Sequence, residues 1–222
     1  MDAATPPVDK RPVMSRGDRF TLGAVAALAG LVAAGAAVGG VMSVVQALRD
    51  DPLTISGFEL VNARAPEVAE HVGQVTDAWY DSATLTIAEL PDSARWLFAA
   101  QSAVLTLAVV GVSLSLLWLA LRVLRTRPFG RSVTAALVAS AVLIIVGGTA
   151  AQVLEAAGKA AVMDHLGGPA VTGGAGPIDA ESFVVFGLTV DLAPIGVGVA
   201  LAVIALAFQI GARMQRDTEG LV

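Results

Sequence analysis

The feature that most constrains this chain is a set of four long segments without a charged side chain. Their flanking residues are Arg19 and Arg49, Arg95 and Arg122, Arg131 and Glu155, and Asp191 and Arg213. A helix crosses a bilayer core about 30 Å thick with roughly 20 apolar residues, and each segment reaches that length. Of the 222 residues, 55% are hydrophobic and only 15% charged, so little polar surface is left to keep four such helices in water. The sequence predicts an all-α membrane protein, a bundle of four transmembrane helices.

The distribution of charge between the loops predicts the orientation. Of the 14 Lys and Arg residues, ten fall in the N-terminal tail, the second loop and the C-terminal tail, which share one side. Short loops rich in Lys and Arg stay in the cytoplasm. We therefore expect a multi-pass protein of the plasma membrane (a bacterial inner membrane), with both termini cytoplasmic. The other side is acidic.

The first segment could also be read as a cleaved signal peptide, because basic residues precede it. Its apolar part is longer than the roughly 7 to 15 residues of a signal peptide, which favours a retained helix. The predicted organisation is a disordered basic tail at 1–19, transmembrane helices at 20–48, 96–121, 132–157 and 192–212, extracytoplasmic loops at 49–95 and 158–191, a basic cytoplasmic hairpin at 122–131 and a cytoplasmic C-tail at 213–222.

The two extracytoplasmic loops carry patterns of regular structure. Apolar residues nearly alternate over 53–60, and the break at Gly57 predicts a β-bulge. A second short strand is predicted around 84–87, and a third at 183–190, which is dense in β-branched and aromatic residues. Apolar residues at helical spacing over 68–79 predict a short helix. Loops 1 and 3 are thus expected to form a small extracytoplasmic α+β cap.

Residue types that carry chemistry are scarce. The chain has no cysteine, and its two histidines, His71 and His165, lie in predicted loops without a metal-binding spacing. The predicted helix interiors lack the ionisable side chains that transporters keep near the membrane midplane. Glu155 and Lys159 are spaced as a surface ion pair, which needs no function. We expect a protein that is not an enzyme and has no catalytic, cofactor or metal site.

Small residues mark a packing face on the first helix. Gly35 and Gly39 form a G-x-x-x-G pair, a pattern that lets another backbone approach closely. The sequence predicts helix packing at these two glycines. It leaves open whether the partner is the second or fourth helix of the same chain or a helix of another protomer.

Two short stretches carry a resemblance to a known family. The hairpin reads RTRPFGRS over 125–132, and the chain ends with FQIGARMQRDTEGLV from Phe208. These resemble the bacterial four-helix membrane family catalogued as domain of unknown function 2975, in which a Pro-Phe step opens the third helix. The resemblance implies the same layout over residues 20–222 but brings no activity. Some relatives look associated with small helix-turn-helix regulators, which implies a signalling role. This chain has no DNA-binding segment, so no direct nucleic-acid binding is expected.

The basic hairpin and the tail have two readings. In the first they only set the topology. In the second they form one cytoplasmic docking face, made of Arg125, Arg127, Phe129, Arg131, Arg213, Gln215, Arg216 and Asp217.

The leading hypothesis is a protein that senses or scaffolds, embedded in the lipid bilayer, with a cytoplasmic regulator or another membrane protein as its partner. The alternative is an accessory subunit of a transporter or other membrane complex. A membrane enzyme acting on a lipid is the third class.

Overall fold

Long helices alternate with short strands in the computed structural model of the chain, which describes residues 15–60, 74, 82–124, 131–168, 170–172, 182–185 and 190–219. Within these ranges the elements are α1 Arg16–Arg49, β1 Leu53–Leu60, β2 Ser82–Ile87, α2 Asp92–Leu124, α3 Arg131–His165, β3 Ala170–Thr172, β4 Ser182–Val185 and α4 Ala193–Glu219.

The four helices are long and apolar enough to cross a membrane. The candidate spans are Arg19–Arg49, Asp92–Leu124, Val133–His165 and Ala193–Gly211, with mean hydropathy between 2.1 and 2.4. Large apolar side chains on all four point away from the protein, as shown by the exposed fractions of Leu31 (72%), Leu107 (69%), Val146 (60%) and Val203 (59%). Exposing apolar surface to water costs about 25 cal/mol per Å², whereas contact with lipid tails avoids this cost. The chain is therefore a mostly helical, multi-pass membrane protein.

Glycines permit the closest contacts between consecutive helices. A Cβ added at Gly40 of α1 would overlap Thr106 of α2, and one at Gly147 of α3 would lie 2.6 Å from the Cβ of Ala108 in α2. One added at Gly148 would lie 2.6 Å from Pro194 in α4. Extensive helix contacts join α1 to α2, α2 to α3 and α3 to α4, and in the described ranges no comparable contact joins α1 to α4. The helices thus pack as an open row in chain order.

All four helices extend beyond the predicted membrane spans, and α2 does so by four residues at its start and three at its end. Helix α1 begins at Arg16, so the last residues of the predicted disordered tail are helical, while residues 1–14 lie outside the described ranges. Helix α3 continues to His165 and α4 to Glu219, so 158–165 and 213–219 are helix rather than loop and tail. The prediction ended each segment at a charge. A charged residue ends the part of a helix that lipid can surround. The helix itself continues into water, because its backbone hydrogen bonds do not depend on the side chain.

The strands form one antiparallel sheet in the order β2-β1-β4-β3. The predicted bulge in β1 is present: Ile55 pairs with Leu85 and Phe58 with Ala83, so β1 uses one residue more than β2. Gly57 has φ +80, a conformation that glycine adopts without strain. Side chains of a regular strand alternate between its two faces. Ile55 and Phe58 are three residues apart, so in a regular strand they would lie on opposite faces. The extra residue returns both to the buried face.

Two further predicted strands of the cap are present at least in part, one strand was not predicted, and the predicted helix lies almost entirely outside the described ranges. The second predicted strand corresponds to β2, and the start of the third to β4, while 186–189 lie outside the described ranges. Strand β3 was missed, because three residues in a glycine-rich stretch are too few to show alternation. Of the helix predicted over 68–79, only Gln74 is described.

One hydrophobic core attaches the sheet to the helices. Phe58 of β1 and Val162 and Met163 of α3 are almost completely buried in it. Its members are Ala47, Leu53, Ile55, Phe58, Ile87, Leu90, Ala94, Phe98, Ala99, Val162 and Met163. We call this end of the molecule, where α1 and α3 end and α2 and α4 begin, the sheet end. The opposite end, with the start of α1 and the end of α4, is the tail end.

A buried arginine ties the end of α1 to the start of α2. The Arg95 side chain donates from Nη1 to the carbonyl of Asp50 (2.6 Å) and from Nε to the carbonyl of Leu90 (3.1 Å). Its Nη2 lies 3.4 Å from Oδ1 of Asp51, which also accepts from the backbone N–H of Glu89 (3.1 Å). Arg95 is 8% exposed, although the sequence analysis placed it at the edge of a loop. It acts as a clamp at the base of the sheet.

Candidate functional site

A cavity of about 250 Å³ lies at the sheet end, where α1, α2 and α3 meet β1. We call it the sheet-end cavity. Its apolar wall is shared with the hydrophobic core and includes Ala47, Leu53 and Phe98. Its polar lining consists of Ser43, Gln46, Thr54, Ser56, Gln101, Ser102, Glu155 and Lys159. The cavity therefore combines an apolar wall with several polar groups, as small-molecule sites do.

Lys159 is held between α3 and β1. Its Nζ donates to Oε1 of Glu155 at 2.7 Å, which is the helical pairing expected at a spacing of four, and to the carbonyl of Gly57 at 2.9 Å. The ammonium also lies 6.0 Å from the centre of the Phe58 ring. The side chain is only 15% exposed. The β-bulge supplies this contact, because the bulged residue presents its carbonyl to Lys159.

Glu155 connects the same group to α2. Its Oε2 accepts a hydrogen bond from Nε2 of Gln101 at 3.1 Å, while its Oε1 accepts from Lys159. The Glu155 side chain is 40% exposed, so one side of it faces the open part of the cavity. Four residues thus form a connected polar chain, from Gln101 through Glu155 and Lys159 to Gly57, that crosses from α2 over α3 to β1.

The cavity retains unused hydrogen-bonding capacity. An ammonium has three N–H donors, and two of those of Lys159 are used within the described part of the chain. A carboxylate offers about four acceptor sites, of which Glu155 uses two there. The Gln46 amide and the Ser102 hydroxyl find no partner among the described residues. No group of three or more His, Cys, Asp or Glu side chains comes together within the same ranges. The arrangement can bind a polar molecule through groups of both signs.

The structure does not bring Gly35 and Gly39 against another helix of the chain. Both are exposed, and a Cβ added at either would meet nothing within 4 Å. Within the described ranges, no helix of the chain therefore packs against this pair. The close approach of α1 to α2 occurs at Gly40 instead. One residue rotates the helix face by about 100°, which is enough to turn the predicted pair outward. Packing against another protomer stays a prediction.

The residues of the predicted docking face are only partly described. Arg213 is exposed on α4, and α3 begins at Arg131. The remaining tail residues, Gln215, Arg216 and Asp217, lie on the last turns of α4. The hairpin residues Arg125, Arg127 and Phe129 lie outside the described ranges. Whether hairpin and tail form one face stays a prediction.

An aromatic and basic pair marks the tail end of α2. The Arg122 guanidinium lies 5.1 Å from the centre of the Trp118 ring, one helical turn earlier. Trp118 also lines a shallow apolar groove between α2 and α3, beside Ala135 and Ala136. Trp and Arg are typical of the level of the lipid headgroups. The pair therefore has the residue types expected near a membrane interface.

Sequence reasoning missed most of the site. The spacing of Glu155 and Lys159 was a signal, but it was interpreted as a surface ion pair without a function. The bond from Gln101 to Glu155 spans 54 residues and that from Lys159 to Gly57 spans 102. Contacts over such distances leave no local pattern in one sequence, so the cavity was not predictable.

Comparison with known proteins adds no relative from which a function could be transferred. No known family model, no curated protein and no solved structure matches this chain. The resemblance of the hairpin and tail to the family named above therefore stays a prediction, and the function has to be argued from the geometry of the sheet end.

Proposed function

We propose that this chain is a non-enzymatic membrane sensor that receives a small polar molecule in the sheet-end cavity. The observation that carries the proposal is the polar chain, which holds the Lys159 side chain, 15% exposed, and its carboxylate partner beside the cavity. Removing a charge from water is unfavourable unless it is paired and hydrogen-bonded. Apolar side chains would stabilise this junction at least as well, so retaining two charges here supports a binding role.

In this proposal the sheet end is extracytoplasmic and the tail end cytoplasmic. The excess of Lys and Arg at the tail end, ten of 14, supports this orientation. The sheet, packed on the ends of three helices, then serves as the extracytoplasmic cap.

The tail end is the proposed docking part. Arg213 and Arg216 are three residues apart on α4, a spacing that places them on the same face of the helix. An acidic surface of a cytoplasmic regulator would be complementary to these residues. The resemblance described above, through its associated regulators, points to the same kind of partner.

A second candidate function is favoured by the outward face of α1. Gly35 and Gly39 are exposed there, and small residues at this spacing allow the helix of another membrane protein to approach closely. In this alternative the chain is an accessory subunit of a transporter or other membrane complex.

Orientation is tested with a reporter that is active only in the cytoplasm. Fused after Val222 or inserted near Gly130, it should be active, and inserted near Gly73 or Gly174 it should be silent. The opposite pattern would refute the assignment of the sheet end to the outside.

The two candidate functions are separated by affinity purification in mild detergent, with wild type and Lys159→Gln compared. A sensor should recover a soluble partner, and its yield should change several-fold in Lys159→Gln. An accessory subunit should recover membrane proteins. Their yield should be unchanged in Lys159→Gln and lower in Gly39→Leu. The matched control is Asp164→Asn, which changes an exposed charge on the same helix. Equal recovery of a soluble partner with all variants would contradict the sensor.

A further inference from the structure

We infer that the ligand of the sheet-end cavity is a small zwitterion, a molecule that carries one ammonium and one acidic group. The inference rests on the proposed function, because it assumes that the cavity is a receiving site. It adds the chemical class of the ligand, which follows from the charges, the hydrogen-bonding groups and the size of the cavity.

The charges of the lining exclude ligands with a single charge. The described part of the lining contains one negative group, Glu155, and one positive group, Lys159, in direct contact at 2.7 Å. A cation brought to Glu155 is repelled by Lys159, and an anion brought to Lys159 is repelled by Glu155. A zwitterion avoids both penalties, since its ammonium can lie beside Glu155 while its acidic group lies beside Lys159. Like-charge repulsion is the usual way in which sites reject related ligands.

The unused hydrogen-bonding groups match both ends of such a molecule. Among the described residues, the third N–H of Lys159 has no partner and can bind a carboxylate or phosphate oxygen, and Glu155 has open acceptor sites that can bind an ammonium. Gln46 and Ser102 can donate or accept, so either end of the ligand finds a second partner. The site needs no rearrangement of the polar chain to make these bonds.

The size of the cavity suits a compact molecule or a compact headgroup. Its 250 Å³ corresponds to the space of about eight water molecules at roughly 30 Å³ each. A free amino acid fits this space, with its methylene groups against Phe98 and Leu53. The headgroup of an ethanolamine phospholipid has the same chemistry and a similar size. Both sources present an ammonium beside an acidic group, and the experiment distinguishes them.

Thermal unfolding of the purified, delipidated protein tests the inference. The probes are glycine, L-alanine and L-serine, each at saturating concentration. The comparison compounds are acetate and methylammonium, which carry one charge, and glycerol, which carries none. At about 100 times its Kd, a ligand of the folded state should raise the melting temperature by roughly 5 °C or more. The lipid source is tested by adding phosphatidylethanolamine or, as the comparison, phosphatidylglycerol in nanodiscs.

Two variants connect any shift to the cavity. The double variant Glu155→Gln and Lys159→Gln removes both charges together, so no buried charge is left unpaired and the protein should fold. It should lose the shift, and Asp164→Asn should keep it. A shift with a free zwitterion or with phosphatidylethanolamine, absent in the double variant, supports the inference.

Other outcomes overturn it in distinguishable ways. If acetate, methylammonium or glycerol stabilises wild type as well as the zwitterions do, and the double variant loses that shift, the cavity binds a ligand but not of this class. The proposed function then stands and the inference fails. If no compound or lipid produces a shift that depends on Glu155 and Lys159, the cavity is not a receiving site and both fail.

Discussion

Replacing Arg95 by Met tests whether the clamp at the base of the sheet stabilises the whole sheet end. The substitution removes the guanidinium, with its bonds to the carbonyls of Asp50 and Leu90, and keeps most of the apolar stem. Because Arg95 is 8% exposed, water does not readily replace the lost donors. The change therefore isolates the polar contribution of one buried side chain.

The expected loss of stability follows from the geometry. Hydrogen bonds that involve a charged group contribute about 1.5–3 kcal/mol each, and Arg95 makes two to backbone carbonyls. The ion pair with Asp51 adds about 0–1 kcal/mol, because that carboxylate is 51% exposed. Packing of the Met side chain offsets part of this loss of stability. We expect a net loss of about 3–5 kcal/mol, most of it from the two hydrogen bonds to backbone carbonyls.

The measurement is thermal unfolding in mild detergent, followed by circular dichroism and intrinsic tryptophan fluorescence. At about 2–4 °C per kcal/mol for a chain of this size, the melting temperature should fall by roughly 10 °C. The matched control is Arg49→Met, which removes an exposed positive charge from the same end of the molecule. Asp51→Asn should cost little, since its oxygen can still accept from Glu89. If Arg95→Met loses no more stability than Arg49→Met, the clamp does not stabilise the fold.

Three further changes probe other parts of the molecule. Gly40→Leu should lower the melting temperature through a loss of about 1–3 kcal/mol in unfolding free energy, because its side chain would overlap α2. Gly39→Leu should leave the stability of the monomer unchanged. Equal melting curves for the two variants would show that α1 does not pack as described. Glu89→Gly should raise stability by about 1 kcal/mol in denaturant unfolding, since residue 89 has φ +56; a decrease would mean that its side chain has a structural role. Reversing Arg213 and Arg216 to Glu should leave membrane insertion intact and abolish capture of an acidic regulator; full recovery of that partner would leave these residues only a topological role.

The features that could be predicted from the sequence have local signals. Four uncharged segments indicated the helices, because spanning lipid demands a long apolar run wherever the segment lies in the chain. The bulge at Gly57 was predictable as well, since a glycine interrupts an alternation that resumes at Phe58. Each of these signals is contained within a window of a few residues to a few tens of residues.

The features that could not be predicted depend on rotation and distance. Gly35 and Gly39 have the spacing of a packing face, but the spacing does not say which way the face points, and tertiary packing selected Gly40. Arg95 has the same residue type as exposed Arg49, and only the fold buries one of them. The cavity needs three helices and a strand to meet, and a single sequence does not specify that meeting point.

The open row of helices has a consequence for how motion travels through the molecule. Helix α4, with its basic end, contacts the other helices through α3, where Gly148 meets Pro194 and Gln152 exchanges two hydrogen bonds with the backbone of Asp191. Glu155 and Lys159 lie on that same α3. Helix α3 therefore contacts both the cavity and the helix that bears the tail, and a tilt of α3 would change the positions of both. Helix α1 lies at the far edge of the row, and its end is linked to α3 through the core at the sheet end.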